Sequence, residues 1–518
     1  MKSSSQKSKL AIPVFFYSFA SFISKISGYL RDLFLASFVG TSVLSDIFLI
    51  AFRLPYSFKR AVSEESLNPA FIPIYGKSSD SSNLNKKYEF TRKVFLVFLF
   101  FAVLLTVIAE IFMEEILHIF SYGFSDPLLQ ELLITSSRII FPYVIFIVLT
   151  SVLMANLNAN NKFGVTGAIA SVLNLTIVGA IVLTNFYEVN KLLYLSYTVI
   201  IGGFFQALVL FTVVDRNFWA VLISLKRYRT SLKEFYSMYW PTLVYSSFFQ
   251  INLIIGIFLC SLEEGAVSYI YYSERLFYFP LTLIGIAIGV VLVPNLSNYI
   301  RQNENDSARE YMNRANKYAL ITILPLTGFL LGLSPEIVSF LFERGEFTAE
   351  STKNTSMVLT AFLLGLPAAT LVKILTPYFF AIETPRIYLR VTTYSNLINL
   401  ILMLILYRYI GFLGIPIALS VSSYALFFLL LSEHKKKNFF SYDNLNLSPA
   451  LKYLALSILI FFSCKEISEL LILSYDNVVV TLFAGAIYSS FVFIIFLSIF
   501  DKEILMQTKE VLLNIYRK

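Results

Sequence analysis

The sequence has few residues from which a metal site, a disulfide framework or an acid–base catalytic cluster is built. It contains two cysteines and two histidines, and charged residues make up only 14% of it. Cys260 and Cys464 lie far apart in apolar segments, so they predict neither a disulfide framework nor a metal-ligand set. His118 and His434 are also isolated in the sequence. This scarcity argues against a metalloenzyme and against a disulfide-stabilised secreted domain.

Apolar and aromatic side chains, by contrast, are abundant. Apolar residues make up 57% of the 518-residue chain, with 51 Phe and 32 Tyr, and the mean hydropathy is +0.72. A water-soluble domain cannot bury so much apolar surface. Apolar runs of about 20 residues recur, the length with which a helix crosses the hydrocarbon of a bilayer. Because such runs lack the alternation of a membrane β-barrel, we predict an all-α polytopic membrane protein.

We predict fourteen transmembrane helices. Their approximate bounds are 11–36, 43–75, 93–120, 133–157, 163–185, 191–214, 236–262, 265–299, 317–342, 354–382, 386–407, 411–433, 449–473 and 477–500. The loops richest in Lys and Arg are 77–93, 216–233, 301–317 and 434–437, and they alternate with loops nearly free of both. Because basic loops remain on the cytoplasmic side, both termini are expected there. The net charge of +8 reflects this orientation and attraction to anionic lipid, and we expect no nucleic-acid partner.

A short internal repeat supports two pseudo-symmetric lobes. Arg53-Leu54 in the second span is followed by Pro73, and Arg275-Leu276 in the eighth span is followed by Pro294 at a similar distance. Each copy begins one span after the start of a six-helix block. Since six is even, the two blocks have the same orientation in the membrane.

The helix count and the repeat together predict four parts of the chain. They are an N-lobe (1–215, helices 1–6), a cytoplasmic amphipathic linker (216–235), a C-lobe (236–434, helices 7–12) and a last part (435–518) with helices 13 and 14 and a cytoplasmic tail.

The first two spans carry charges where membrane helices ordinarily have Leu or Val. These residues are Lys25, Arg31, Asp32, Asp46, Arg53, Lys59 and Arg60. A charge near the bilayer centre costs about 2.5–3.5 kcal/mol, so it faces a watery cavity or a counter-charge. Cations outnumber acids, and Arg275 lies in a later span, which predicts a cavity for an anionic substrate. The alternative is a set of interhelical ion pairs that only hold the spans together, with Asp32 and Asp46 each able to neutralise one cation.

Helical periodicity divides the charges of the first span between two stripes. One stripe contains Ser24, Ser27, Gly28 and Arg31. Lys25 and Asp32 lie on a second stripe, about 100° away. Gly28 would permit close approach of a ligand, or a bend.

In the second span the periodicity places Asp46, Arg53 and Arg60 on one face and Lys59 off that face. Pro55 is expected to interrupt this helix because it lacks an N–H group. The periodicity is therefore not valid across Pro55.

Several local motifs occur in an order that is typical of one transporter family. They are Ser24–Asp32, Ala51–Pro55, Leu157–Asn160, Gly202–Gln206, Tyr271–Leu276, Leu292–Ser297 and Phe342–Thr348. Over nearly the whole chain they resemble the MurJ (MviN) proteins, the lipid II flippases of the MOP exporter superfamily. The resemblance implies a V-shaped pair of lobes, with a groove for the polyprenyl tail on helices 13 and 14.

The resemblance also implies site residues. They correspond to Ser24, Lys25, Arg31, Asp46, Lys59 and Arg275, and we predict that all of these except Asp46 bind the substrate. In the cavity or its gate we predict, from the charges and the helical periodicity as well, Gly28, Asp32, Asp46, Arg53, Arg60 and Glu274. Lys25 and Lys59 stand where many members have Arg, so they would hold phosphate as point charges without a bidentate fork. Periodicity favours Arg60 as the cavity residue and the resemblance favours Lys59, which we prefer.

The expected function is translocation of lipid II, an undecaprenyl-pyrophosphate-linked peptidoglycan precursor, from the inner to the outer leaflet of the bacterial cytoplasmic membrane by alternating access. The alternative is a MOP-type exporter of another polyprenyl-linked saccharide or of small molecules. A membrane enzyme would need a carboxylate or histidine cluster at a membrane face, and we do not expect one.

The expected partners are lipid II and membrane lipids, with a functional link to cell-wall synthases, and the expected state is a monomer. No cofactor is predicted. The resemblance would allow a sodium site, but the corresponding spans offer Asn252, Asn396 and Asn399 without a carboxylate. A hard cation usually takes a carboxylate ligand, so we predict no metal site.

Overall fold

The computed structural model describes residues 2–59, 67–79, 84–121, 123–124, 126–223, 232–437, 439, 447–475, 477–502 and 506. All regular elements among these residues are helical. The α-helices are α1 (Lys2–Val39), α2 (Val43–Phe58), α3 (Leu67–Ser79), α4 (Leu84–Ile111), α5 (Met113–Ser121), α6 (Pro127–Ile140), α7 (Tyr143–Ala159), α8 (Phe163–Leu183), α9 (Lys191–Val213), α10 (Arg216–Ile223), α11 (Lys233–Ser261), α12 (Ala266–Pro280), α13 (Ala287–Arg301), α14 (Asn305–Gly332), α15 (Ser334–Phe342), α16 (Ala349–Leu363), α17 (Leu366–Ala381), α18 (Pro385–Ile410), α19 (Gly414–Lys436), α20 (Leu447–Tyr475) and α21 (Val478–Phe500).

Many of these helices are long and apolar enough to cross a bilayer. Seven helical stretches within the described residues meet that condition, and α16 with α17, bent by 42°, makes an eighth if the pair is one span. Backbone groups in hydrocarbon need internal hydrogen bonds, which a helix supplies. The exact count of fourteen spans stays a prediction.

Several of the predicted spans contain more than one helix in the structure. The second span contains α2 and α3, and residues 60–66 between them lie outside the described ranges. The eighth is split into α12 and α13 by a π-helical segment, Leu281–Ile286.

The expectation that Pro55 interrupts its helix is wrong. Helix α2 continues through Pro55 to Phe58, and the carbonyl of Pro55 still accepts from the backbone N–H of Lys59. Proline removes one donor, that of its own nitrogen, and the flanking hydrogen bonds carry the helix past it.

The chain forms two compact units. Unit 1 is Met1–Ser268 with Arg344–Phe347, and unit 2 is Tyr269–Glu343 with Thr348–Lys518. Helix α11, the first helix of the predicted C-lobe, falls within unit 1. The lobe boundaries at 215 and 236 stay predictions. In the predicted linker, α10 buries Phe218, and residues 224–231 lie outside the described ranges.

In unit 1, α1 packs along α8, and α8 packs on α9. The segment Arg344–Phe347 docks at the turn that follows α1: the N–H of Glu346 donates to the carbonyl of Ser37 at 3.0 Å. Lys191, at the start of α9, donates from its ammonium to the carboxylate of Glu346 at 2.8 Å. These contacts join the C-terminal end of α1 and the N-terminal end of α9 through one loop.

In unit 2, α20 packs along α14, and α21 packs on both. The Ser457 hydroxyl donates to the carbonyl of Leu324 at 2.6 Å. Just past the end of α21, the carboxylate of Asp501 accepts from Lys317 at 2.8 Å and from the hydroxyl of Tyr453. The last two helices are therefore tied to α14 by polar contacts as well as by apolar packing.

Candidate functional site

One face of α1 packs against α8 through polar side chains. Asn174, in the middle of α8, donates from Nδ2 to the Ser27 hydroxyl at 3.1 Å and to the carbonyl of Ser24 at 3.4 Å. Its Oδ1 accepts from Nη1 of Arg31 at 3.0 Å. The predicted stripe of Ser24, Ser27, Gly28 and Arg31 is therefore a helix–helix contact along its length.

Arg31 and Asp32 form a buried ion pair. Nε and Nη2 of Arg31 donate to Oδ1 of Asp32 at 3.0 and 2.7 Å. The two residues are 9% and 2% exposed. Charge-assisted hydrogen bonds of this kind are the stronger ones in proteins. One of the two acids thus lies beside one of the cations, as the sequence allowed.

Lys25 lies in a different environment from Arg31. Its side chain is exposed, and within the described part of the chain no carboxylate lies within 4 Å of its ammonium. The neighbouring exposed side chains on α1, Phe22 and Ile26, are apolar. Lys25 is therefore a cation that the described residues leave uncompensated.

Among the described residues Asp46 pairs with no cation, contrary to one sequence expectation. Its buried carboxylate accepts from the backbone N–H groups of Gly265 at 2.7 Å and Ser268 at 2.9 Å, and from the Ser268 hydroxyl at 2.6 Å. These donors lie at the start of α12, where backbone N–H groups have no intrahelical partner and the helix dipole favours negative charge. Asp46 therefore caps α12 from α2.

The other charges of α2 lie towards its C-terminal end. Arg53 is half-buried, and its carbonyl accepts from the Ser57 hydroxyl at 2.9 Å. The ammonium of Lys59 lies 5.3 Å from the centre of the Tyr56 ring, within cation–π range. Arg60 lies outside the described residues, so its role relative to Lys59 stays a prediction.

Arg275 and Glu274 belong to unit 2. The Arg275 side chain is exposed and its guanidinium lies 4.6 Å from the centre of the Tyr271 ring, while Glu274 is half-buried. The preceding Ser273 donates to the carbonyl of Thr355 at 2.7 Å. This contact fixes α12 against α16 next to the two charged residues.

Asn174 is the residue that sequence reasoning missed. A polar amide in the middle of an apolar span was the available signal, since such a residue usually faces another helix or a cavity. Within the described residues the structure brings Ser24, Gly28, Arg31 and Asp32 together around it. The described residues contain no group of three or more His, Cys, Asp or Glu that would hold a metal ion.

A second polar cluster surrounds the motif Leu157–Asn160. The hydroxyl of Tyr75 accepts from Nδ2 of Asn160 at 2.6 Å and from Nδ2 of Asn156 at 3.3 Å. Lys87 donates to Oδ1 of Asn160 at 2.9 Å. The motif thus links α3, α4 and α7 by hydrogen bonds.

Asp215 immediately precedes the short helix α10. Its carboxylate accepts from the backbone N–H of Asn217 at 2.9 Å and from the Tyr88 hydroxyl at 2.8 Å. These two hydrogen bonds, the backbone one first, lower the pKa of Asp215 below its ordinary value because both favour the charged form.

Comparison with known families shows to which family the chain belongs. A family model described as "Lipid II flippase MurJ" matches residues 35–501. The chain belongs to the MurJ family. The resemblance drawn from the motifs is thereby confirmed, and so is the prediction that this chain is a transporter and not an enzyme.

Individual MurJ relatives match over most of their length. A probable lipid II flippase MurJ of Rickettsia prowazekii (strain Madrid E) is 31% identical over 462 residues, which are 88% of this chain and 89% of the relative. A solved structure of the lipid II flippase MurJ in an inward closed conformation has a TM-score of 0.79 and 26% identity. It covers 95% of this chain and 100% of its own. The all-α polytopic membrane fold is confirmed.

A more distant structure shares the fold alone. It is an inward-facing multidrug resistance MATE family transporter of the MOP superfamily, with a TM-score of 0.66 and 14% identity over 80% of this chain and 94% of its own. The architecture is therefore common to MurJ and to a multidrug resistance transporter.

Proposed function

We propose that this chain carries lipid II from the inner to the outer leaflet of the bacterial cytoplasmic membrane by alternating access. The observation that carries the proposal is the family match over residues 35–501. That range includes Arg53, Lys59 and Arg275. Arg31 lies in α1, just before the range begins. Lipid II joins a pyrophosphate to a polar saccharide-peptide and an apolar tail, so its transport needs cations inside a membrane protein.

Four cations are proposed to hold the pyrophosphate: Lys25, Arg31, Lys59 and Arg275. Lys25 is exposed, without a carboxylate partner among the described residues, and would act as a point charge. Arg31 would present its planar guanidinium, which matches phosphate geometry. Asp32 keeps the guanidinium oriented and offsets its charge when no substrate is bound. Without this counter-charge, the buried arginine would cost free energy in the substrate-free state.

The transport cycle follows from the charge of the substrate. A bound anion interacts differently with states that gather the cations and states that separate them, and only such a difference shifts a conformational equilibrium. The membrane potential acts on any charge that moves across the bilayer, with about 2.3 kcal/mol per charge per 100 mV. The apolar tail would stay at the last two helices, α20 and α21, which present apolar faces outward.

The orientation and assembly belong to the same proposal. Both termini are proposed to lie in the cytoplasm, from the basic loops, and the protein is proposed to act as a monomer beside the cell-wall synthases that consume its product. The two pseudo-symmetric lobes with bounds 1–215 and 236–434, joined by the linker 216–235, are proposed as the moving parts.

The test is depletion of the protein in its native host, followed by measurement of the leaflet in which lipid II accumulates. We expect build-up on the inner leaflet, with rescue by the wild type but not by Arg31→Ala or Arg275→Ala. Arg138→Ala is the matched control, because Arg138 forms an exposed pair with Glu114 and such pairs contribute little. Normal outer-leaflet delivery without the protein would contradict the proposal, and build-up of a different polyprenyl-linked saccharide would point to another MOP-type cargo.

A further inference from the structure

Both the NH2 group and the oxygen of the Asn174 side chain form hydrogen bonds with residues of α1. It is 6% exposed in the middle of the apolar helix α8. Nδ2 donates to Ser27 and Ser24, and Oδ1 accepts from Arg31. A buried amide with both ends satisfied by one neighbouring helix specifies how the two helices meet.

The chemistry of the partners fixes which way the amide points. A guanidinium has only donors, so the atom of Asn174 that faces Arg31 has to be the oxygen. The Ser24 carbonyl has only acceptor sites, so the atom facing it has to be the nitrogen. The Ser27 hydroxyl already donates to the Ser24 carbonyl at 2.9 Å and therefore accepts from Asn174. Reversing the amide would place its NH2 group against the guanidinium donors of Arg31 and its oxygen against the Ser24 carbonyl.

Arg31 is consequently held from two helices. Asp32 binds Nε and Nη2, and Asn174 binds Nη1. Asp32 lies on the same helix as Arg31, so this pair by itself does not fix the guanidinium relative to a second helix. Asn174 supplies a fixed point on a second helix.

Gly28 belongs to the same arrangement. A Cβ atom at Gly28 would lie 3.3 Å from Nδ2 of Asn174, tighter than ordinary van der Waals contact. The missing side chain makes room for the amide, whereas the sequence suggested room for a ligand or a bend. Ser24, Ser27 and Gly28 thus form a notch in α1 that receives Asn174.

We propose that Asn174 is a positioning residue that sets the direction of the Arg31 guanidinium, and that lipid II binding depends on it through Arg31. The inference rests on the proposed function for its substrate. It requires that loss of Asn174 changes both the environment of Arg31 and the affinity for the pyrophosphate-bearing substrate.

The main variant is Asn174→Leu, which keeps the size of the side chain and removes its hydrogen bonds. The matched control is Ser171→Ala, one turn earlier on α8. Ser171 is 7% exposed, and its hydroxyl has no hydrogen-bond partner among the described residues. Asn174→Asp is a second variant of the same shape, which guards against poor folding of the leucine variant. It removes both donors and adds a second carboxylate beside Arg31.

Two measurements on the purified full chain test the proposal. The first is the rate at which phenylglyoxal modifies Arg31, followed by mass spectrometry, which needs no substrate. We expect faster modification in Asn174→Leu and the wild-type rate in Ser171→Ala. The second is the Kd for lipid II, which we expect to weaken about tenfold in Asn174→Leu, as for loss of one hydrogen bond to a charged group, and further in Asn174→Asp.

The outcomes separate the two proposals. Unchanged modification of Arg31 in Asn174→Leu would overturn the positioning role, as would equal effects in Ser171→Ala. Faster modification with an unchanged Kd for lipid II would overturn the link to substrate binding. If the wild type neither binds nor flips lipid II but Asn174→Leu still exposes Arg31 to the reagent, the proposed function fails and the positioning of Arg31 stands.

Discussion

Asp32 in α1 and Asp46 in α2 are both buried carboxylates, and they have different partners. Asp32 binds the guanidinium of its neighbour Arg31, whereas Asp46 binds the backbone at the start of α12. Both solutions satisfy the rule that a buried charge needs strong hydrogen bonds. Only the first pairs directly with a cation, whereas Asp46 forms no such pair among the described residues.

Replacing Asp46 should lower stability more than replacing its neighbour. In Asp46→Asn, the negative charge is lost, and one of the two carboxylate oxygens becomes an NH2 group that faces a backbone donor, that of Gly265 or that of Ser268. We expect a loss of about 1.5–3 kcal/mol, the range for hydrogen bonds to a charged group, measured as a lower Tm of the purified protein. Ser45→Ala is the control, since Ser45 contributes one neutral hydrogen bond to the Ser268 hydroxyl at 2.9 Å. Equal Tm values for the two variants would contradict this interpretation of Asp46.

Asp215 should make stability sensitive to acid. Its pKa is lowered from 3.8 in the folded state, so its stabilising contribution is complete well above that ordinary value and is lost as the pH falls through the folded-state pKa. Relative to Asp215→Asn, the wild type should therefore lose Tm as the pH falls below about 5. Thermal unfolding scans from pH 7 to pH 3 measure this difference. Glu188→Gln, at an exposed carboxylate of the same unit, is the control, and a difference independent of pH would count against the prediction.

At the scale of elements, polar contacts between helices decide the packing that apolar periodicity leaves open. The notch in α1 receives one residue of α8, and the loop 344–347 sits on the turn after α1. Each of these two segments has a glycine with positive φ, Gly40 at 61° in the turn and Gly345 at 59° in the loop. A Cβ at either position would overlap a backbone carbonyl of the opposite segment, that of Glu346 or of Ser37.

Adding a methyl group at this turn should destabilise unit 1. Gly40→Ala and Gly345→Ala each force an L-residue into the left-handed region, at about 1–2 kcal/mol, and add a steric overlap with backbone. We expect a lower Tm for both variants. In the control Gly179→Ala, the new Cβ has no atom within 4 Å and the site is helical, so stability should stay the same or rise. A Tm at or above the wild-type value in both glycine variants would contradict this prediction. It would mean that the turn after α1 and the loop 344–347 separate at little cost.

At the scale of the whole molecule, the chain is an all-helical membrane transporter of the MurJ family. Its two compact units have separate sets of packed helices, and the cations Arg31 and Arg275 lie in different units. The lobe boundaries, the count of fourteen spans and the orientation rest on the sequence pattern and are open to direct test.

Orientation can be measured with reporter fusions. We expect a fluorescent protein fused after Lys518 to fluoresce and a fused alkaline phosphatase to be inactive, because a cytoplasmic C-terminus follows from the basic loops. Fusions within the outer loop at Glu188 should give the opposite pattern and serve as the control. Active phosphatase at the C-terminus would mean an odd number of spans or an inverted topology.

The sequence by itself determined the class and the family, and it predicted the charged residues of the candidate site. Composition and apolar run length predict a helical membrane protein because the bilayer imposes the same constraint on every span. The order of short motifs indicates MurJ because local sequence carries family information directly.

Only the tertiary structure decided which partner each polar residue meets. Asn174 against Arg31, Asp46 against the start of α12 and the continuation of α2 through Pro55 all depend on helices that are distant in sequence or on hydrogen bonds around the proline. Periodicity gives the face of a helix on which a residue lies, but it does not identify the helix that covers that face. For that reason the stripe of Ser24, Ser27, Gly28 and Arg31 was found in the sequence, and Asn174, which it contacts, was not.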